Sequence, residues 1–201
     1  MILHLVRHGQ TAHNRDGLGL GRLDVPLTEV GLLQAESVGT RLGARPIRVV
    51  YTSPLQRARA VAEAIAASCG AQIDVRDALL ELDVGETEGL RFDEMRVRYP
   101  DFLREWAGEN CTSARMPGGE SLDDVNTRLG PFIEEVLAGD DEEVAIVSHN
   151  FVVKLQVCRL LSLPPSAFRS FAIDVASVST FSVRSGRASL LTLNDRCHIT
   201  G

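Results

Sequence analysis

Leu3-His4-Leu5-Val6-Arg7-His8-Gly9-Gln10-Thr11-Ala12-His13-Asn14 opens the chain and decides how the rest is read. Its apolar run predicts a buried strand that breaks at Arg7-His8-Gly9, where glycine frees the backbone to turn. Thr11 and Asn14 follow as turn and helix-start residues. In open α/β sheets, ligands collect beyond the carboxyl ends of the strands, so Arg7 and His8 stand where chemistry is usually done. A guanidinium presents a planar fork of donors to phosphate, and an imidazole serves as nucleophile or general base near neutral pH. One Arg-His-Gly carries little weight alone; its partners elsewhere give it meaning.

Val144-Ala145-Ile146-Val147 repeats the arrangement, with Ser148-His149-Asn150 after it and a helix over Val152 to about Leu161. Two strand-end histidines on one parallel sheet can face the same crevice. Arg57 and Arg59 fall in the first turn of a helix predicted from Leu55 to about Cys69. Acids are the usual preference there, and local rules tend to break at functional sites. Only one of the two arginines can easily face the strand ends, and Arg57 is the choice. The loop from Glu81 to Gly89 carries four acids, Glu81, Asp83, Glu86 and Glu88. One of them suits a general acid, and spacing alone does not say which.

Strands and helices alternate along the chain. Residues 15–27 read as a Gly-rich loop, and Thr28 caps a helix to about Gly43. Arg48–Tyr51 is a strand; Ile73–Val75 and Ala78–Leu82 are expected to be short extended pieces. Residues 91–107 look helical with a break at Pro100, and Gly108 to Ser121 is either a lid or a long connection. Ser121 caps another helix, and Gly139 to Glu143 is expected to be a solvent-facing charged turn. Ser170–Leu193 predicts two or three extended segments with a turn at Ser185-Gly186. The expected fold is α/β, a three-layer α/β/α sandwich around a mainly parallel sheet. One domain is expected over residues 1–201, with a cap-like segment at about 90–120.

The 201 residues suffice for one full core, and 44% apolar with 24% charged residues is ordinary for a globular protein. A net charge of −6 argues against a general nucleic-acid binder. No apolar run approaches the ~18 residues of a membrane span, and the N-terminus lacks a secretory signal pattern. Cys69, Cys111, Cys158 and Cys197 form no C-x-x-C pair, which suits reduced thiols and a cytoplasmic location.

Two histidines, two arginines and a carboxylate make a consistent phosphoryl-transfer set. A neutral imidazole nitrogen can attack phosphorus in line while arginines and the second histidine neutralise the equatorial oxygens. A carboxylic acid can protonate the leaving alkoxide and then activate water. Other phosphatase chemistries lack their residues: there is no Cys-x5-Arg loop, no D-x-D-x-T and no P-loop. A metal site from His4 and His8 lacks a third ligand, and no cofactor is expected. His4, His13 and His198 read as structural or surface residues.

Arg7-His8-Gly9-Gln10-Thr11-x-x-Asn14 resembles the R-H-G-[EQ]-[ST]-x-x-N motif of the histidine phosphatase superfamily, in its phosphoglycerate-mutase-like branch. Gly21-x-x-Asp24-x-Pro26-Leu27-Thr28-x-x-Gly31, Thr52-Ser53-Pro54-Leu55-x-Arg57-Ala58 and Glu81-x-x-x-Gly85-x-x-Glu88-Gly89 resemble its further segments. Pro117-Gly118-Gly119-Glu120-Ser121, Val147-Ser148-His149 and Leu193-Asn194-Asp195 continue the likeness in the family's order. The resemblance implies His8 as phosphorylated nucleophile, Glu81 as proton donor, and Arg7, Arg57 and His149 as holders of the phosphoryl group. It further implies that Asn14, Gly21 and the backbone at Gln10, Thr11 and Asn150 line the phosphate pocket. Two departures are visible: Thr87 stands where an aromatic is common, and Asn150 replaces the usual glycine.

Mutases of this branch carry longer insertions that enclose their bisphosphate. This shorter chain therefore looks like the phosphatase side, a metal-independent phosphomonoesterase of the α-ribazole or broad-specificity type. The alternatives are a cofactor-dependent phosphoglycerate mutase and a phospho-ligand binding module without turnover. The expected partner is a small phosphomonoester, with a homodimer compatible with the branch and neither nucleic acid nor membrane implied.

Overall fold

The computed structural model describes residues 1–199. Its strands are β1 (Ile2–Arg7), β2 (Val49–Thr52), β3 (Gln72–Val75), β4 (Glu143–Ser148), β5 (Val178–Arg184) and β6 (Arg187–Asp195). Its helices are α1 (Ala12–Asp16), α2 (Glu29–Leu42), α3 (Gln56–Cys69), α4 (Phe92–Arg98), α5 (Pro100–Ala107), α6 (Leu122–Ala138) and α7 (Asn150–Leu160). The sheet has six strands in the order β3-β2-β4-β1-β5-β6. β1 to β4 run parallel, and β5 pairs antiparallel with both β1 and β6.

Alternation along the strands sends successive side chains to opposite faces. Val6, Ala145 and Val147 pack with Val38 of α2 and with Val61 and Ile65 of α3. Leu3, Leu5, Val144 and Ile146 pack instead with Leu129 and Ile133 of α6 and Val153 of α7. Helices therefore cover both faces, giving the expected α/β/α layering. β4 is buried along its whole length, which is why Val144–Val147 within it reads as an unbroken apolar run.

The loop after β1 docks on the start of α2. Thr28 caps that helix by accepting the Gly31 N–H at 3.0 Å. Gly31 has no room for a side chain, since a Cβ there would overlap the Gln10 carbonyl. A Cβ on Gly9 would stand 2.6 Å from the Gly31 carbonyl oxygen. The two glycines let strand end and helix start touch backbone to backbone.

Two local expectations, Ala78–Leu82 and Glu143, need correction, and two that left a choice open, Ser170–Leu193 and Gly108–Ser121, resolve to two strands and a connection. Ala78–Leu82 is not extended: Asp77–Leu79 forms a 3-10 turn, closed by the Leu80 N–H on the Asp77 carbonyl at 3.0 Å. Glu143 is not part of a solvated turn but the first residue of β4, buried with its carboxylate 2.6 Å from His4 Nε2 and also bonded to Arg45. Residues 171–177 hold no strand, because Asn194 Oδ1 takes the Asp174 N–H at 2.6 Å before pairing begins at Val178. Gly108 to Ser121 is a packed connection: Cys111, Ala114 and Met116 are buried, and the Glu120 N–H donates to the Asp83 carbonyl at 2.9 Å. Pro100 does break the 91–107 helix, standing at the first position of α5. Among the described residues, no helix is long and apolar enough to cross a membrane.

Candidate functional site

β1 and β4 are neighbours in register, with Arg7 opposite Ser148. The next residue on each strand is therefore a histidine at the same carboxyl edge, and the His8 N–H donates to the Ser148 carbonyl at 3.0 Å. The His8 and His149 ring centroids lie 5.1 Å apart, with the planes tilted by 59°. Both residues are buried.

Hydrogen bonding assigns their tautomers. His8 Nδ1 lies 2.7 Å from the Gly9 carbonyl, which can only accept. Nδ1 thus carries the proton and Nε2 the lone pair. His149 Nδ1 lies 3.3 Å from the Nε–H of Arg57, so it accepts and its Nε2 carries the proton. That Nε2–H is buried and has no acceptor among the described residues. Burial, then Arg7 and Arg57, holds His8 well below its ordinary 6.5; burial, then Arg57 and His8, does the same for His149. Both rings are neutral at pH 7, one offering a lone pair and the other an N–H.

Arg57 is fully buried at the start of α3, whereas Arg59 reaches Glu63 in solvent. Arg57 donates to the Leu23 carbonyl at 2.7 Å and to the Gly21 carbonyl at 2.6 Å, bracing the Gly-rich loop against the histidines. Arg7 gives Nη1 to the Ile173 carbonyl at 2.6 Å, while its buried Nε has no partner among the described residues. An unpaired buried donor is costly, and here two such donors, Arg7 Nε and His149 Nε2, belong to one cluster.

Glu81 is buried close by. Its oxygens accept the Leu82 N–H at 2.9 Å and the Phe151 N–H at 3.3 Å, the latter from the first turn of α7. Burial pushes its carboxyl up from the ordinary 4.5, against those two amides and against Arg57 and Arg7. A carboxyl whose pKa is raised by burial is better suited to act as an acid.

The expected backbone donors fare differently. The Gln10 N–H is engaged by Gln34 Oε1 at 2.8 Å and the Thr11 N–H by Asn14 Oδ1 at 3.1 Å. Thr11 caps α1, and Asn14 closes the box. The Gly21 N–H goes to Glu88 Oε1 at 2.7 Å. These three amides already have acceptors within the chain, so they shape the loop walls rather than point free donors at a ligand. Asn150 is the first residue of α7, where a backbone N–H has no intrahelical acceptor.

Two further residues hold the site: Arg128, which no sequence signal singles out, and Glu120, which the Pro117–Ser121 motif marks without a role. Arg128 of α6 donates to the Ala78, Leu80 and Glu81 carbonyls at 2.5, 2.6 and 3.1 Å. Glu120 bonds Arg22 at 2.7 Å and the Asp83 N–H at 3.1 Å, tying both flanks of the acid loop together. Arginines at these positions look like surface charges in a linear reading. Among the described residues, no three His, Cys, Asp or Glu side chains gather as a metal-binding group.

The family model for the histidine phosphatase superfamily, branch 1, matches residues 3–196. Phosphoserine phosphatase 1 of Hydrogenobacter thermophilus is 34% identical over 198 residues, covering 98% of this chain and 93% of that one. A chain of Salmonella choleraesuis named as a probable phosphoglycerate mutase, GpmB, is 32% identical over 178 residues, 88% of this chain and 82% of its own. The α-ribazole phosphatase structure from Shigella flexneri superposes with a TM-score of 0.87 at 27% identity, covering 97% of this chain and 96% of that one.

Proposed function

The chain belongs to branch 1 of the histidine phosphatase superfamily, and we propose that it is a phosphomonoesterase in which His8 is the nucleophile. The observation that carries this reading is the pair of neutral, oppositely protonated imidazoles 5.1 Å apart.

In the first step the Nε2 lone pair of His8 attacks phosphorus in line. The phosphorus–oxygen bond to the leaving alcohol breaks, and the Glu81 carboxylic acid gives its proton to that oxygen. Phosphohistidine and a Glu81 carboxylate remain. In the second step water attacks phosphorus while Glu81 takes a water proton. The phosphorus–nitrogen bond breaks, inorganic phosphate leaves and neutral His8 is restored. Arg7 Nε and the His149 Nε2–H supply donors for the equatorial oxygens, with Arg57 adding charge from behind. Arg57 also fixes the His149 tautomer.

A small phosphomonoester is the proposed substrate, and the free thiols of all four cysteines suit a reducing cytoplasm. Residues 90–120 are proposed as a cap over the leaving-group side. The test is phosphate release from a panel of monoesters with EDTA present, paired with rapid quenching of a ³²P-labelled ester. Release together with acid-labile, base-stable label on the native protein, both absent in His8→Ala, is the expected result. Equal release from His8→Ala overturns the assignment. Label that passes to 3-phosphoglycerate instead of water makes the chain a mutase.

A further inference from the structure

Two open spaces lie near the carboxyl ends of β1 and β4, one lined by Arg7 and the other by Phe151, and they differ in chemistry. One is a cleft of about 340 Å³ over Arg7, Gln10, Asn14 and Arg196, rich in polar groups. The other, of about 200 Å³, is walled by Phe92, Met95, Phe102, Leu103, Trp106 and Phe151. Among the described residues no charged side chain lines this second cavity, and the hydroxyl there, Thr87 Oγ1, donates to the Val84 carbonyl at 2.8 Å. Thr87 and Val84 are themselves on its wall. An exposed Phe92 sits at its rim, so an apolar surface leads from solvent into the cavity.

The acid's position says which space receives the leaving group. The leaving oxygen must lie beside the Glu81 carboxyl to take its proton, so the rest of the alcohol extends from there. Phe151 joins that carboxyl to the apolar cavity: its N–H binds Glu81 Oε2 and its ring forms part of the wall. Trp106 packs on Phe151 edge to face at 5.8 Å and on Phe102 at 5.6 Å, which makes the wall rigid.

Resting on the phosphatase reading above, we infer that the substrate is a monoester of an apolar alcohol of about aromatic-ring size, its carbon body seated between α4, α5 and Phe151. An apolar cavity of ~150 Å³ holds a benzene, so this space takes a ring with a short linker. The amino and carboxylate groups of phosphoserine, or the carboxylate of 3-phosphoglycerate, would meet no counter-charge there, and burying an unpaired charge is strongly unfavourable. The phosphoserine phosphatase name of one relative therefore does not carry over.

The test compares 2-phenylethyl phosphate with ethyl phosphate, phosphoserine and 3-phosphoglycerate. All are esters of alkyl alcohols, so aryl-type leaving-group activation does not enter. The expected kcat/KM for 2-phenylethyl phosphate is at least tenfold above each of the others. Its ratio to ethyl phosphate should fall toward one in Trp106→Ala and in Met95→Gln, the second variant guarding against misfolding of the first. Equal values for 2-phenylethyl and ethyl phosphate overturn the inference. So does a preference for phosphoserine or 3-phosphoglycerate, which would seat the leaving group in the polar cleft. If no ester turns over at all, the phosphatase reading fails and calorimetric binding of the same four esters decides the cavity's role. Tightest binding of 2-phenylethyl phosphate supports it, and equal affinities overturn it.

Discussion

At the scale of single residues, the protons on His8 and His149 are set by the hydrogen bonds of their immediate neighbours. The Gly9 carbonyl takes the Nδ1–H of His8, and Arg57 gives its Nε–H to His149. His149→Ala removes one buried donor proposed to face the phosphoryl oxygens. Loss of a comparable donor costs about 10²–10³ in kcat, so a fall of that size in steady-state phosphate release is expected. Glu81→Gln removes the proposed acid, and general acid catalysis typically contributes about 10²–10⁴. Burial raises the Glu81 carboxyl; the protonated form needed for the first step is therefore lost as pH rises through that raised value. Native kcat should fall along this alkaline limb, and Glu81→Gln should have a flat profile there. A Glu81→Gln enzyme with the native pH profile would assign the limb to another group.

At the scale of elements, the site depends on how α6 and α2 hold two loops. Arg128 grips three carbonyls leading into Glu81, so its loss loosens the acid without touching substrate. Hydrogen bonds from charged groups contribute about 1.5–3 kcal/mol each. Arg128→Ala is expected to lower kcat by about tenfold or more with KM nearly unchanged, and to shift the alkaline limb. Arg128→Lys, a single point charge, should recover only part. A rise in KM with kcat intact would deny the positioning role. Gly31→Ala tests the other loop: the added Cβ meets the Gln10 carbonyl. Overpacking of this kind costs typically ~1–3 kcal/mol, so a lower urea midpoint and a weakened kcat are expected together.

The same two elements show what a linear reading can and cannot reach. β1, β4 and the Thr28 and Ser121 caps were legible because apolar runs and capping residues act over a few neighbours. That only one of Arg57 and Arg59 faces inward was legible from helix sidedness, which did not say which of the two it is. The acid was not legible from spacing, because three of the loop's four carboxylates have separate partners beyond the loop, while Asp83 accepts the Gly85 N–H within it. Glu81 meets Phe151, Glu86 meets Tyr99, and Glu88 meets Gly21. Only the family resemblance picked Glu81 out. Glu143 was misread for the same reason: its partners His4 and Arg45 lie far back in the chain, so the local run of acids looked solvated. The apolar cavity was missed because Phe92, Phe102 and Phe151 belong to three helices.

At the scale of the whole molecule, the buried histidines tie stability to pH. Burial lowers His4, His8 and His149 below the ordinary 6.5, and for His4 it does so despite Glu143. Neutral His4 donates from Nε2 to Glu143 and accepts at Nδ1 from Thr180, bridging β1 to β4 and β5. As pH falls below about 6.5, histidines of the unfolded chain bind protons that the folded chain refuses, and stability drops. Each unmatched proton gives a slope of about 1.4 kcal/mol per pH unit. Glu81 acts with the opposite sign over its own window: its raised carboxyl keeps a proton when folded, so its contribution falls as pH rises above 4.5. These three histidines, together with His198, which burial also lowers, should outweigh it, and the urea midpoint is expected to decline steadily from pH 7 to pH 5. The double variant His8→Asn with His149→Gln removes two of the four groups and should decline less steeply. Parallel native and variant curves would place the acid sensitivity outside the two strand-end imidazoles, and a His4→Gln variant would then show whether the β1–β4 bridge carries it.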